Sequence, residues 1–377
     1  MMKYAIIGAG MMGQEHMRNI ALLPDTRVSA LADPDAEMRG AAAKAAGDLF
    51  GSVPAVFDSY QDMLRSVDVD ALVVVSPNHT HHAIMADLMQ TGLPILCEKP
   101  VGITEEECLD LLKWQKAGTS PVWVAMEYRY MPPMEKLVRD VASGRVGRPV
   151  QLSIREHRFP FLGKVGDWNR FNSQTGGTLV EKCCHYFDLM RLITKSDPVR
   201  LYASGGVDVN FLDESYAGEK PDILDNAFVI VDFENGMRGS LDLCMFNEAS
   251  HWQEIVTITG SKASLAAVIP GPSRFSIDGK ERLSEVRYSD RATKQETREV
   301  IDVDHTILSA GDHHGSTFFQ HQKFKRMIEG HQDIEVSLLD GAIAVAIGAA
   351  AEESVRTGEA VSLTERISQL RDFADNC

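Results

Sequence analysis

Two side chains stand where they suit proton and hydride chemistry: Lys99, within Glu98-Lys99-Pro100, and His185, four residues after Glu181. Oxidising an alcohol to a ketone needs a hydride acceptor, a base for the hydroxyl proton and a cation or donor for the developing alkoxide. Lys99 follows the apolar run Pro94-Ile-Leu-Cys97. At a strand end its ammonium can polarise a hydroxyl and respond to burial with a lowered pKa. His185 is the natural base, because an imidazole titrates near working pH. If Thr178 to Met190 forms one helix behind Gly176-Gly177, Glu181 and His185 share a face as orienter and acid/base. Lys182 then points roughly 100° away, as a structural residue or a further hydroxyl contact. Cys183 and Cys184 read as small buried residues rather than metal ligands.

The first thirty-three residues supply the hydride acceptor. Lys3 to Ile7 reads as a short buried strand, Gly8, Gly10 and Gly13 complete G-x-G-x-x-G, Met12 to Leu22 has helical spacing, and Val28 to Ala32 is a strand closing on Asp33. This is the order of a dinucleotide-binding βαβ unit. Gly8 makes the tight turn, Gly10 lets the backbone, with Met11 and Met12 beside it, approach a pyrophosphate, and Gly13 lets helix pack on strand. Asp33, twenty residues past Gly13, is placed to accept from a ribose 2′-hydroxyl and repels a 2′-phosphate. NAD is therefore expected over NADP, with Arg39 near enough in sequence to leave NADP open.

The elements that must position these groups follow in order. Ala36 to Ala46 and Tyr60 to Arg65 are expected helices. Val69 to Val75 is a continuous apolar run, as in a parallel strand covered on both faces. It delivers Ser76, Pro77 and Asn78 beyond its carboxyl end, where an open parallel sheet binds its ligand. His79, His81 and His82 lack the spacing to converge on a metal, so none is expected. Ala83 to Thr91 reads as a helix, Thr104 to Glu107 as a capping box opening a helix to about Ala117, and Val122 to Met126 as another strand. Beyond Arg145-Val-Gly-Arg-Pro149 strands dominate: Val150 to His157, Val199 to Val207, Asn226 to Phe233, Met237 to Met245, Glu254 to Thr259 and Ala263 to Ala267. Asn235-Gly236 marks a hairpin. The polar stretch Pro270 to His305 fits an insertion, a meander or a lid. Phe318 to Ile328 and Leu338 to Val355 read as helices.

At 377 residues the chain is long for one core, and two domains are expected, at 1–125 and 126–377. A formal charge of −16 weighs against nucleic acid and favours small-molecule partners. The six cysteines form neither a disulfide framework nor a C-x-x-C pair. No secretory signal or membrane-length apolar run is visible, so a cytoplasmic, non-membrane protein is expected.

The Gly8–Gly13 loop, Ser76-Pro-Asn78 with His81, Glu98-Lys-Pro100, Glu127-Tyr-Arg129 and Gly176-Gly-Thr-Leu-Val-Glu-Lys-Cys-Cys-His-Tyr-Phe-Asp188 resemble the Gfo/Idh/MocA oxidoreductases, the glucose-fructose oxidoreductase and inositol dehydrogenase group. The resemblance runs from residue 3 to about 360. It implies an α/β protein with an N-terminal Rossmann domain. It further implies a C-terminal α/β domain whose large, mostly antiparallel, open-faced sheet forms a subunit interface, giving a dimer or tetramer. It places Ser76, Pro77, Asn78, His81, Glu98 and Lys99 beside the cofactor, and Lys99, Glu181 and His185 in catalysis. Where the family more often has aspartate, this chain has Glu181, one methylene longer. Tyr128, Arg129, Arg158, Trp168 and Arg170 offer the donors and flat rings that sugars need, and the segment from His313 through His314 resembles one that reaches substrate.

The expected activity is oxidation of a secondary hydroxyl of a cyclic polyol, sugar or glycoside, with hydride passing to NAD. Two rivals remain at this level. One is a sugar hydrolase or lyase that retains NAD and uses transient oxidation; the other is a sugar-sensing regulator without catalysis.

Overall fold

A computed structural model describes residues 1–275 and 278–375. Cys377 and two residues of the 270–305 stretch lie outside them. The first unit alternates strand and helix: β1 (Met2–Ile7), α1 (Met11–Ala21), β2 (Thr26–Ala32), α2 (Ala36–Phe50), β3 (Ala55–Phe57), α3 (Tyr60–Ser66), β4 (Ala71–Val74), α4 (His81–Leu88), β5 (Ile95–Cys97), α5 (Glu105–Ala117) and β6 (Val122–Val124). Its six strands are all parallel, in the order β3-β2-β1-β4-β5-β6. Chain direction therefore reverses its march at β1/β4, which opens a crevice beyond the strand ends. Every residue of β4 is buried, as its unbroken apolar run requires for a strand covered on both faces. The β3 strand is an addition to the sequence reading, three residues too short and exposed to leave a pattern. The Thr104 hydroxyl caps α5 by accepting from the Glu107 amide, but Glu107 turns back to the Ile103 amide at 2.7 Å, so the expected reciprocal box is not formed.

The second unit opens with α6 (Pro132–Ala142), β7 (Pro149–His157), α7 (Asn172–Thr175), α8 (Thr178–Glu181) and α9 (Cys184–Thr194). It continues through β8 (Pro198–Gly206), β9 (Asn226–Phe233), β10 (Arg238–Cys244), β11 (Glu254–Gly260) and β12 (Ala263–Ile269) to β13 (Ser284–Asp290) and β14 (Glu296–Ile301). It closes with α10 (His305–Leu308), α11 (Ser316–Ile328), α12 (Leu338–Thr357), β15 (Val361–Ser362) and α13 (Thr364–Asp375). Nine strands form one sheet, β14-β13-β12-β11-β7-β10-β9-β8-β15, antiparallel apart from the β7/β10 pair. Asn235-Gly236 does turn β9 into β10. Most of the 270–305 stretch is a meander, a β13–β14 hairpin that extends the sheet edge. Burial alternates along β8, β9 and β10. One face is core; the other leaves Tyr202, Phe228 and Ile230 44%, 62% and 57% exposed.

The two units are tied by helices from late in the chain. Val124 donates to the Val336 carbonyl at 3.0 Å, and α12 packs against α5 and β6 on one side and α8, α9 and β8 on the other. Glycine makes this approach possible. A Cβ on Gly341 would stand 3.0 Å from a Val101 methyl, and one on Gly348 would stand 2.6 Å from the Leu179 carbonyl. Among the described residues no helix is long and apolar enough to cross a membrane.

Candidate active site

The glycine loop is built for a dinucleotide. Gly8 has φ +107°, and a Cβ there would come within 2.5 Å of the Val75 carbonyl; one on Gly13 would lie 2.1 Å from the Gly8 carbonyl. A Cβ on Gly10 would meet nothing within 4 Å, so the space in front of that backbone is open. No side chain caps α1, which leaves the first amides of the helix, at Met11 and Met12, to a ligand. The Asp33 carboxylate accepts from the Ala9 amide at 2.7 Å and the Asp35 amide at 2.9 Å, which fixes it across the loop with lone pairs to spare for ribose hydroxyls. Arg39 is held by the carbonyls of Asp33 and Pro34, at 2.6 and 2.8 Å. These residues fit NAD.

Ser76, Pro77 and Asn78 do follow the carboxyl end of β4. The Asn78 amide donates to the Glu181 carboxylate across the two units. The three neighbouring histidines go to three places. His79 lies edge-on to Trp168, His81 sits between the carbonyls of Pro100 and Ser76 at 2.7 and 2.9 Å, and His82 packs on Trp114. His81 thus ties the Lys99-Pro100 turn to the end of β4.

From the end of β5, the Lys99 ammonium donates to the Glu181 backbone carbonyl at 2.9 Å. The sequence suggested a lowered lysine pKa. Burial does push it down, but the charges of Glu181, Cys184, Glu98 and Glu127 outweigh burial and hold it above the ordinary value. Glu98 accepts from the Lys99 amide at 3.1 Å and from His16 at 3.0 Å, and His16 meets His321 at 2.7 Å.

The expected single helix from Thr178 to Met190 is broken at Lys182 and Cys183, between α8 and α9. The break reorganises the expected pair. Glu181 does not orient His185: its carboxylate holds Asn78, and Lys99 and Lys164 offset burial and keep it below the usual range. The His185 ring instead stacks on Tyr128, with centroids 4.0 Å apart and planes within 6°. Its Nδ1 is buried without a hydrogen-bond partner. Burial, then the nearby charges of Lys99, Lys182, His313 and Arg158, drive its pKa well below the ordinary value rather than leaving it near neutrality.

Beneath this stack lies a charged layer. Lys182 bonds the Tyr128 hydroxyl and pairs with Glu156 at 2.9 Å, which Arg158 also approaches at 3.5 Å. Glu254, cross-strand from Glu156, is pushed up to about 7 by burial and by that neighbour's charge. Several sugar-contact expectations resolve into ties within the protein. Arg129 chelates Asp188 and reaches the Glu335 carbonyl, Arg170 pairs with Glu214, and His314 bonds the Pro270 carbonyl at 2.6 Å. Its neighbour His313 is the one turned inward. It lies 2.9 Å from Glu15 and 3.4 Å from Glu127, and its pKa is raised to about 9 because both carboxylates outweigh burial.

Sequence reasoning missed Lys164. It lies on the segment between β7 and α7, its ammonium 4.8 Å over the Trp168 ring. Burial and the Lys99 charge lower its pKa, against the pull of Glu181. Only its closeness to Trp168 in sequence signalled it. Glu15 and His16 were likewise missed, although as adjacent polar residues on a helix that follows a nucleotide loop they left a trace.

Residues 2–126 match the model of an oxidoreductase family's NAD-binding Rossmann fold, and residues 138–363 match that of the family's C-terminal alpha/beta domain. The chain belongs to the Gfo/Idh/MocA oxidoreductase family. It is an NAD-dependent oxidoreductase. Its relatives include the rhizopine catabolism protein MocA of Rhizobium meliloti, 27% identical over 64% of this chain and 70% of that protein. An inositol 2-dehydrogenase of Rhizobium meliloti (strain 1021) is 24% identical over 96% of this chain and 99% of its own. Among solved structures, levoglucosan dehydrogenase in complex with NADH and levoglucosan superposes with a TM-score of 0.78 at 19% identity, covering 96% of this chain and 99% of that one. At that identity the likeness is one of fold.

Proposed function

We propose that this protein is an NAD-dependent dehydrogenase that oxidises a secondary hydroxyl of a cyclic polyol, sugar or glycoside, with Lys99 and His185 as its catalytic residues. One observation carries the reading. The Lys99 ammonium reaches from the end of a Rossmann strand to the Glu181 carbonyl, at the break that begins the His185 helix. The charge of that cation also acts on the His185 imidazole from the other unit, which supports assigning both to one site.

In this reading Lys99 stays protonated and donates to the hydroxyl oxygen as negative charge grows on it, which is where a fixed cation lowers a barrier most. The neutral His185 imidazole accepts the hydroxyl proton, and the surrounding cations discourage it from keeping that proton. When bound, nicotinamide supplies the carbon that takes the hydride. Glu181 presents its carbonyl to Lys99 and fixes Asn78, a positioning role rather than a relay to His185. Tyr128 sets the plane of the His185 ring. Ser76, Pro77, Asn78 and Glu98 border the nicotinamide end, while Gly8 to Gly13 and Asp33 hold the rest of the dinucleotide. We further assign residues 1–125 to cofactor and 126–377 to substrate. The apolar Tyr202, Phe228 and Ile230 face supports a homo-oligomer, whose mass light scattering of the wild type checks, and we assign the protein to the cytoplasm.

The test is NADH formation by purified protein with NAD across inositols, aldoses, anhydrosugars and glycosides at alkaline pH. Turnover of one class supports the reading. Silence from the whole panel, with NAD demonstrably bound, removes it.

A further inference from the structure

Several cations in and around the site lie against a carboxylate. Lys182 and Arg158 share Glu156 at 2.9 and 3.5 Å, Arg129 has Asp188, and His313 has Glu15 and Glu127. Two ammonium groups are different. Among the described residues, Lys99 forms its hydrogen bond with a backbone carbonyl and Lys164 lies over the ring of Trp168, and neither makes an ion pair. Both residues are half-buried rather than fully enclosed.

They also draw on the same two carboxylates, Glu181 and Glu98. Trp168, under Lys164, packs edge-on to His79 at 6.2 Å. The adjacent Asn78 holds the carboxylate of Glu181, whose backbone carbonyl holds Lys99. Glu181 and Glu98 are the carboxylates whose charges act on both ammonium groups, and both are already engaged, Glu181 by Asn78 and Glu98 by His16 and the Lys99 amide. Two like charges drawn out of bulk water, neither in an ion pair and both facing carboxylates already hydrogen-bonded elsewhere, gain from a further anion. A neutral polyol offers these ammonium groups only hydroxyls. A carboxylate or phosphate offers each of them a charge-assisted bond.

We propose that Lys164 selects sugars or polyols that carry an anionic substituent, a carboxylate or a phosphate, by pairing with that substituent while the reacting hydroxyl meets Lys99. Trp168 is the platform that holds the Lys164 ammonium toward the site. The turnover part of this inference rests on the dehydrogenase reading; the binding part does not.

The experiment is calorimetric titration of the NADH-loaded protein with matched sets of probes. One set is D-glucose, D-glucuronate and a glucose phosphate monoester; the other is myo-inositol and its phosphate monoester. At least one anion is expected to bind about tenfold or more tightly than its neutral parent, a gap of about 1.4 kcal/mol. The better of the carboxylate and phosphate identifies the group. The preference shrinks with added salt, as exposed charge pairing does. Lys164→Gln brings the anion to within about twofold of its parent, while Lys164→Arg keeps most of the preference. Equal or tighter binding of the neutral sugars overturns the proposal, as does a preference that survives Lys164→Gln, or no binding of any probe by protein that holds NADH. NADH formation from the same probes is read separately. Oxidation of neutral sugars alone keeps the dehydrogenase reading and discards this one.

Discussion

The nucleotide half of the site and the proposed substrate half are made from different materials. The first is backbone: a loop whose glycines are required by distances of 2.1 and 2.5 Å, a helix start without a side-chain cap, and one carboxylate pinned by two amides. The second is side-chain charge gathered from several segments, Lys99 after β5, Lys164 before α7, Glu181 in α8, His185 in α9 and His313 before α11. A backbone site tolerates little change of shape, and a charge site little change of balance. Substitutions in the two halves should therefore fail in different ways.

The largest expected effect is in the charge half. Lys99→Ala should lower kcat by about a thousandfold or more, in the range that loss of a charge-stabilising or proton-transferring group produces, with the NAD dissociation constant nearly unchanged. Unchanged turnover would remove Lys99 from the mechanism. The mirror experiment is Gly13→Ala, whose methyl has to displace the Gly8 carbonyl. It should weaken NAD binding at least tenfold and cost roughly 1–3 kcal/mol of stability, the usual range for overpacking. Normal NAD affinity in that variant would erase the contrast between the halves.

A smaller effect sharpens the comparison through pH. His313 has a folded pKa raised to about 9 from 6.5. Its stabilising charge is fully present below about 6.5 and is lost as pH climbs through about 9, because the folded state binds the proton more tightly than the unfolded one. His313→Gln should therefore be less stable than wild type near neutrality, by on the order of 1 kcal/mol or somewhat more, with the gap closing toward pH 10. Chemical denaturation at a series of pH values measures it, and a gap independent of pH breaks the charge account. Arg39→Ala should do least. The guanidinium already rests on the Asp33 and Pro34 carbonyls, so preference for NAD over NADP should remain, as cofactor kinetics will read directly.

The same contrast explains what the sequence could reveal. The Rossmann unit was legible because its determinants are local: the Ala71–Val74 run, the glycine spacing, and an acid at the end of β2. Most strands of the second sheet were legible from alternation. The β13–β14 hairpin was not, since β14 is almost wholly exposed and has no apolar face to mark it. Glu181 and His185 were found as residues but mispaired. Four-residue spacing implies a shared face only on an unbroken helix, and the break at Lys182 and Cys183 accompanies distant contacts, with Asn78 holding Glu181 and Glu156 holding Lys182. Lys164 was invisible for a related reason. A loop lysine has no periodicity, and its setting comes from a ring in its own segment and charges from two others.

The packing of α12 has a consequence for how the molecule comes into being. Its glycine and alanine stripe rests on Val101 and Val124 of the nucleotide unit and on the Leu179 carbonyl of the other. The cofactor unit is translated first, yet the wall behind β6 is supplied only when residues 336–357 leave the ribosome. A chain that stops ahead of α12 should therefore leave the β6 side of the nucleotide unit without its cover.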